Sequence, residues 1–195
     1  MQRINVVGTS GSGKTTMAAR LAQRLRVPHI EMDALFWGPD WTPVPEEVFR
    51  QRVVEALSGT AWVIDGNYSR LRTSVWERAD TVIWLDYPLA VIMTQLMTRT
   101  LRRALKREEL WSGNRESLSK SFFSRDSILL WALQTYRRRR EQYPALFAQP
   151  EYAHLTVIWL RSPKASCKWL ATVKPLDAPW QENPDASSAP APLNR

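Results

Sequence analysis

Five short apolar runs alternate with amphipathic stretches along the chain, and that alternation sets the expectations for its fold. Ile4 to Val7 is rich in β-branched residues and ends at Gly8; from Lys14 onward Met17, Ala18, Leu21, Ala22 and Leu25 recur at helical spacing. His29 to Met32 reads as a second short strand. Asp33 follows it, and "ALFWGPDWTPVP" is too rich in Gly and Pro for a regular element, so it is expected to be a loop. Pro45 stands where a first helical turn favours it, and Phe49, Val53 and Leu57 form one face of a helix ended by Ser58-Gly59.

"AWVID" (61 to 65) reads as a buried strand, and "TVIWLD" (81 to 86) repeats the pattern. Pro88 opens a helix whose Leu89, Ile92, Met93, Leu96, Met97 and Leu101 are expected to face inward. Asp126 can cap a helix from about Ser127 to Tyr143, "HLTVIWL" (154 to 160) is the fifth strand, and Pro163 starts a last helix through Leu170. Strands that are apolar throughout and alternate with helices indicate an α/β chain: a three-layer fold with a five-stranded parallel sheet and helices on both faces. Residues 1–174 are expected to form one domain. From Pro175 to Arg195 the composition turns to Pro, Ala, Ser and Asp, which predicts a disordered tail.

Composition narrows the class. An apolar fraction of 44% over 195 residues suffices for one core. The chain has no apolar run of 18 residues and no charged-then-apolar leader, so no membrane partner and a cytoplasmic location are expected. Cys167 stands alone, which excludes an internal disulfide and a Cys/His zinc cluster and leaves packing as its expected role. The net charge of +8 is regional: between Arg99 and Arg140 twelve basic residues face four acidic ones. Such a region suits either phosphates inside a site or a nucleic-acid backbone.

The chemistry is concentrated in Gly8-Thr9-Ser10-Gly11-Ser12-Gly13-Lys14-Thr15, a full match to the Walker A pattern between a predicted strand and helix. Its glycines let backbone N–H groups turn toward phosphates and the helix points its positive end at them. Lys14 supplies charge to the β and γ positions, Thr15 is the expected Mg²⁺ ligand, and Thr16 completes the ATP-binding run. A dinucleotide fingerprint fails, since Gly11 and Gly13 are followed by Thr16. The metal also needs a carboxylate at the end of a neighbouring strand. Asp65 and Asp86 both qualify; Asp65 is preferred because Gly66 after it would let the chain approach the phosphates, and Asp86 is assigned to capping a turn.

Asp33, beyond the second strand, stands where open α/β sheets place ligand contacts and can orient or deprotonate an acceptor hydroxyl. His29 is read as a strand residue. Phe36, Trp37 and Trp41 either stack on a planar acceptor or close the core, two readings that stay open here. Arg99, Arg102, Arg103 and Arg107 run into "EELWSGNRESLSK", with Gly113 as a hinge, and a lid over about 102–125 is expected to deliver Arg103, Arg107 and Arg115 to the transferring group. Four consecutive arginines at 137 to 140 point in four directions on a helix, so some must face solvent.

With these residues in view, the chain resembles the adenylate-kinase-like branch of P-loop kinases over about residues 3 to 173. It is most similar to the bacterial topology modulation protein (FlaR-like) group, through the phosphate loop, "DALFW" (Asp33 to Trp37), "W-x-x-DGNYS" (Trp62 to Ser69), "LDYP" (Leu85 to Pro88) and "LRRALKREELWSGNRES" (Leu101 to Ser117). The resemblance implies a P-loop NTPase fold with the loop after a central strand, an acceptor-binding segment at about 29–60, and an arginine-bearing lid. It departs from adenylate kinases at two places. Asp-Gly-Phe-Pro-Arg is replaced by Asp65-Gly66-Asn67-Tyr68-Ser69-Arg70, and the Thr-Gly-Asp motif by "MDALFWGPDW". The acceptor is therefore expected to be read by Asp33, Phe36, Trp37, Gly66, Asn67, Tyr68 and Arg70. The expected function is ATP-dependent, Mg²⁺-assisted phosphoryl transfer to a small molecule whose identity the residues leave open, as they do the oligomeric state. The alternatives are a nucleic-acid-associated P-loop ATPase affecting DNA topology, for which no DNA-binding motif is present, and a fold that binds nucleotide without chemistry.

Overall fold

The computed structural model describes residues 1–106, 108–114 and 128–176. The five apolar runs form strands β1 (Arg3–Gly8), β2 (His29–Glu31), β3 (Trp62–Asp65), β4 (Thr81–Leu85) and β5 (Thr156–Leu160). They make one sheet in the order β2-β3-β1-β4-β5, every pairing parallel. Side chains alternate across the strands into two cores: Trp62 and Ile64 of β3 and Val82 and Trp84 of β4 enter one, Val63, Ile83 and Leu85 the other. This is why the strands read as apolar throughout rather than alternating.

The first core is closed by α3 (Glu46–Ala56) through Phe49 and Val53, by the short α4 (Arg72–Trp76), and by Tyr143 of α6 (Ile128–Phe147). The second is closed by the inner face of α1 (Lys14–Leu25), by Ile92 of α5 (Leu89–Lys106), and by Trp169 and Leu170 of α7 (Pro163–Thr172). Burying a large apolar side chain such as Leu21 or Trp76, both below 2% exposed, contributes about 1.5–3 kcal/mol. These layers bring the carboxyl ends of the strands level. Gly8 pairs in register with Leu85, Val6 with Asp65, and Asp65 with Glu31.

The structure departs from the sequence expectations at several points. The segment after β2 begins with a helical turn, α2 (Met32–Phe36), and a 3-10 turn at Pro39–Trp41 before α3. On α5 the inward face is Ile92, Leu96 and Thr100, whereas Met97 and Leu101 are each 43% exposed. Helix α6 continues four residues beyond Tyr143 through Pro144, which removes one N–H donor without ending the helix. Asp126, Arg107, Arg115 and tail residues 177–195 lie outside the described residues, as does most of the expected lid. No helix among the described residues is long and apolar enough to cross a membrane.

Candidate active site

The phosphate loop leaves β1 at Gly8 and re-enters helix at Lys14, so the amino end of α1 opens on the sheet's carboxyl edge. Gly11 cannot be replaced there: its φ is +88°, and a Cβ would stand 2.8 Å from the carbonyl oxygen of Ile92. The Lys14 ammonium donates to the Thr9 carbonyl at 3.3 Å. Burial lowers its pKa to about 8, nearby Arg139 and Arg99 add to that effect, and Asp65 and Asp33 oppose it. Lys14 is thus a buried cation with charges of both signs around it, and an anion bound beside it would favour its protonated form.

The two candidate metal residues are already joined, Thr15 Oγ1 donating to Asp65 Oδ1 at 3.1 Å, and His29 Nε2 lies 2.8 Å from Asp65 Oδ2. His29, read from sequence as a strand residue, therefore orients Asp65. Gly66 serves a different purpose from the one expected: at φ +147° a Cβ would lie 2.8 Å from the Met32 side chain, so the glycine admits α2 against β3. Asp86 does not cap its turn. Its buried carboxylate pairs with Arg140 Nε at 2.9 Å and accepts from Trp159 Nε1 at 3.1 Å, leaving Asp65 as the carboxylate beside Thr15.

Behind the loop, Asn67 Oδ1 accepts from Gly8 N at 3.0 Å and from the Tyr143 hydroxyl at 3.1 Å, and its Nδ2 donates to the Gly8 carbonyl. Asn67 thereby ties the start of the phosphate loop to β3 and α6. Tyr68 OH donates to Asp33 Oδ1 at 2.6 Å, and burial, reinforced by the Asp33 charge, raises the phenol pKa so that the proton stays on Tyr68. Glu31 accepts from Trp111 Nε1 at 3.1 Å; burial pushes its carboxyl upward, Asp65 adding to the shift and His29 opposing it.

A single cavity of about 1520 Å³ joins these groups. It is lined by Gly11 to Met17, by Asp33 and Asp65, by Arg99, Arg102 and Arg103, by Trp37, Trp41 and Trp111 at one end, and by Pro163, Ser166, Cys167 and Leu170 at the other. Small-molecule sites usually measure about 300–1,000 Å³, so the volume accommodates two ligands side by side. The aromatic end is stapled across the chain. Trp41 N donates to Asn114 Oδ1, Asn114 Nδ2 donates to Gly38 O, and Ser112 Oγ donates to Trp37 O, all within 2.8–2.9 Å. Phe36 is not part of it, packing on Phe49 and Tyr68 with ring centroids 5.0 and 4.9 Å away.

Arg70 does not line the cavity: it is exposed and pairs with Glu46 at 3.1 Å. Gly66, Asn67 and Tyr68 lie behind the cavity wall and position Met32, Gly8 and Asp33. Cys167, expected to be packing, is exposed at the cavity edge. The run at 137 to 140 divides its labour: Arg137 and Arg138 are exposed, Arg139 is half-buried beside Lys14, and Arg140 holds Asp86.

Two atoms bear on whether a triphosphate and Mg²⁺ fit. Ser12 Oγ in the loop and Arg139 Nη1, whose charge acts on Lys14, are buried donors without hydrogen-bond partners, a demand that phosphate oxygens could meet. Among the described residues no group of three or more His, Cys, Asp or Glu could hold a metal by itself. Mg²⁺ characteristically takes one or two protein oxygens and completes its shell with phosphates and water, which suits Thr15 and Asp65.

Comparison with known proteins agrees with this architecture. No protein-family profile matches the chain. It is 26% identical over 129 residues to the uncharacterized protein YqaC of Bacillus subtilis (strain 168), covering 65% of this chain and 72% of that one. Shikimate kinase from Bacteroides thetaiotaomicron superposes with a TM-score of 0.51 at 17% identity, covering 87% of this chain and 94% of that one. Shikimate kinase from Acinetobacter baumannii, in complex with shikimate, does so with a TM-score of 0.51 at 15% identity over 88% and 89%. The fold is that of P-loop kinases.

Proposed function

We propose that the protein is an ATP-dependent kinase of a small hydroxylated molecule. The observation that carries this reading is that Lys14, the Thr15–Asp65 pair and Asp33 open on one cavity large enough for donor and acceptor together. The P-loop kinase fold supports it. Within that fold the reading places the chain nearest the adenylate-kinase-like branch and the topology modulation group, on "DALFW", "DGNYS" and "LDYP". A cytoplasmic location, where ATP is abundant, belongs to the same proposal.

In the reaction the backbone of Gly8 to Thr16 holds the triphosphate, Lys14 binds the β and γ phosphates, and Ser12 Oγ and Arg139 Nη1 donate to their oxygens. Mg²⁺, held by Thr15 and Asp65 together with phosphate oxygens, would neutralise charge on the transferring group. Asp33, fixed by Tyr68, accepts the acceptor hydroxyl's proton as the hydroxyl oxygen bonds to the γ-phosphorus and the bond to the ADP oxygen breaks. Arg103, with Arg107 and Arg115, is assigned to stabilising the charge on that group. The α7 end of the cavity is left for the nucleoside.

The test is ADP release above the no-acceptor background across a panel of hydroxylated acceptors. Lys14→Ala is expected to lose turnover by at least ~100-fold with an unchanged circular dichroism spectrum. Asp33→Asn is expected to lose ~100-fold or more with ATP affinity retained. Unchanged turnover in a folded Lys14→Ala protein sinks the reading.

A further inference from the structure

The aromatic end of the cavity has a charge opposite to that of the whole chain. Residues 29–44 and 108–114, which build it, contain no Lys or Arg, while they carry Glu31, Asp33, Asp40, Glu108 and Glu109. The cations that line the cavity stand on α1 and α5; of these, Arg102 and Arg103 pair with Glu108 at 3.3 and 3.9 Å, so that carboxylate is neutralised while Asp33 and Asp40 line the cavity without such a pair among the described residues. Nearby, Arg50 pairs with Glu47, Arg52 bonds the Leu35 carbonyl, and Arg70 pairs with Glu46, and none of the three lines the cavity.

The three indoles form a bent wall. Trp37 and Trp41 meet edge to face at 5.7 Å between centroids, and Trp41 and Trp111 at 6.4 Å. Their backbone is held in an unusual state: Asp40, Trp41 and Ser112 have φ of 54°, 55° and 56°, a left-handed conformation that a Trp rarely adopts. The cross-chain hydrogen bonds of Asn114 and Ser112 keep both turns there. Such strain persists where surrounding contacts over-determine it, and it concentrates at ligand sites. Indole faces bind C–H surfaces and cationic groups, and the Asp33 and Asp40 carboxylates that line the cavity beside them repel an anion.

We propose that this wall is the acceptor subsite and that it selects a hydroxylated compound bearing no carboxylate or phosphate, its C–H face or ammonium group on the indoles and its reacting hydroxyl at Asp33. The inference rests on the kinase reading and adds the class of acceptor to it. A phosphate- or carboxylate-bearing acceptor would need a cation turned to this wall; among the described residues neither segment supplies one, and Arg102 and Arg103 of α5 are engaged by Glu108.

The test uses compounds matched in skeleton and different in charge: glucose, glucosamine and gluconate, and adenosine against AMP. ADP release is measured on the full chain with Mg-ATP, and binding by calorimetry with a non-hydrolysable ATP analogue present. A saturable response from a neutral or cationic member, at least about tenfold above its anionic counterpart in kcat/KM or affinity, is expected. Asp40→Asn, which keeps the left-handed turn, is expected to weaken glucosamine more than glucose if the ammonium is the recognised group, and neither if the C–H face is. Trp111→Phe is expected to raise KM for the acceptor while leaving ATP affinity in place. An anionic member that equals or exceeds its counterpart overturns the inference and leaves the kinase reading standing. So does the absence of binding by every neutral and cationic member at about 10 mM, above the usual KM range, while the ATP analogue binds. Failure of the analogue itself to bind overturns both.

Discussion

Asn67 offers the sharpest test of how the phosphate loop is held, because one uncharged side chain makes three hydrogen bonds across three elements. Two go to the backbone of Gly8, which is buried, and the third comes from Tyr143, 4% exposed. Each such bond is worth about 1 kcal/mol net, and leaving a buried partner unsatisfied costs about 1–3 kcal/mol. Asn67→Ala orphans a donor and an acceptor on Gly8, so the expected loss is roughly 3 kcal/mol. Tyr143→Phe removes one bond and is expected to cost about 1 kcal/mol. The two losses should be non-additive, since both draw on the same Oδ1.

Asn67→Asp separates hydrogen bonding from packing. The introduced carboxylate still accepts from Gly8 N and Tyr143, but it faces the Gly8 carbonyl with a second negative oxygen, so its pKa in the folded protein is raised. The protonated form can donate to that carbonyl. The deficit is therefore smallest below about pH 4 and grows as pH rises through the folded pKa. Urea denaturation with constant m reads the stability, and calorimetry with ATP reads the loop. A loss of about 1.4 kcal/mol in loop preorganisation lowers ATP affinity about tenfold. An Asn67→Ala protein within about 0.5 kcal/mol of the parent, with unchanged ATP affinity, would refute the bracing argument.

Three further outcomes follow from the same geometry. Arg140→Met leaves the buried Asp86 carboxylate with only Trp159, and because Arg140 is half exposed the expected cost is about 2 kcal/mol, below the range for fully buried pairs; Asp86→Asn in the same chain should recover part of it by denaturant unfolding. Cys167 is expected to react with maleimide in the apo protein and at least ~10-fold more slowly with saturating ATP, since it borders the cavity at α7; equal rates would place the nucleoside elsewhere. At Asp80 burial raises the carboxyl pKa, but hydrogen bonds from Thr81 and the N–H groups of Arg3 and Gln2 outweigh it and lower the pKa overall. That stabilisation is present above about pH 4 and is lost as pH falls through the folded pKa, so Asp80→Asn should cost under ~1 kcal/mol at pH 7 and progressively less in acid.

The parts of this fold that were legible in the sequence are those whose cause is local. An apolar run buried on both faces announces a central parallel strand, and the glycines of residues 8 to 13 announce a phosphate loop, because each needs only its neighbours to be recognised. Asp33 and Asp65 were legible for a related reason: both lie at strand ends, and strand ends were predictable. The roles of His29, Asn67 and Asn114 were not, since each partner is 36 to 76 residues away along the chain. The inward face drawn for α5 failed at Met97 and Leu101 because apolar character marks what can be buried, whereas Leu96 and Thr100 mark what this sheet buries. Arg70 is placed at the acceptor by analogy of motif alone, and its side chain instead lies exposed against Glu46.

The basic region shows why a charge count is a weak guide to a partner. Arg139 turns beside Lys14, Arg140 is committed to Asp86, and Arg102 and Arg103 reach Glu108 at 3.3 and 3.9 Å, so much of the excess is directed inward. Lys106, Arg137 and Arg138 face solvent among the described residues of that stretch. Arg139 and Arg99 act on Lys14 at the phosphate loop, while at the indole wall Asp33 and Asp40 line the cavity and Glu108 engages Arg102 and Arg103. On the kinase reading proposed above, a cavity polarised in this way would hold a polyanion beside Lys14 and disfavour a second anion beside Asp33 and Asp40, which favours a charged donor beside an acceptor of different chemistry over two nucleotides sharing one site.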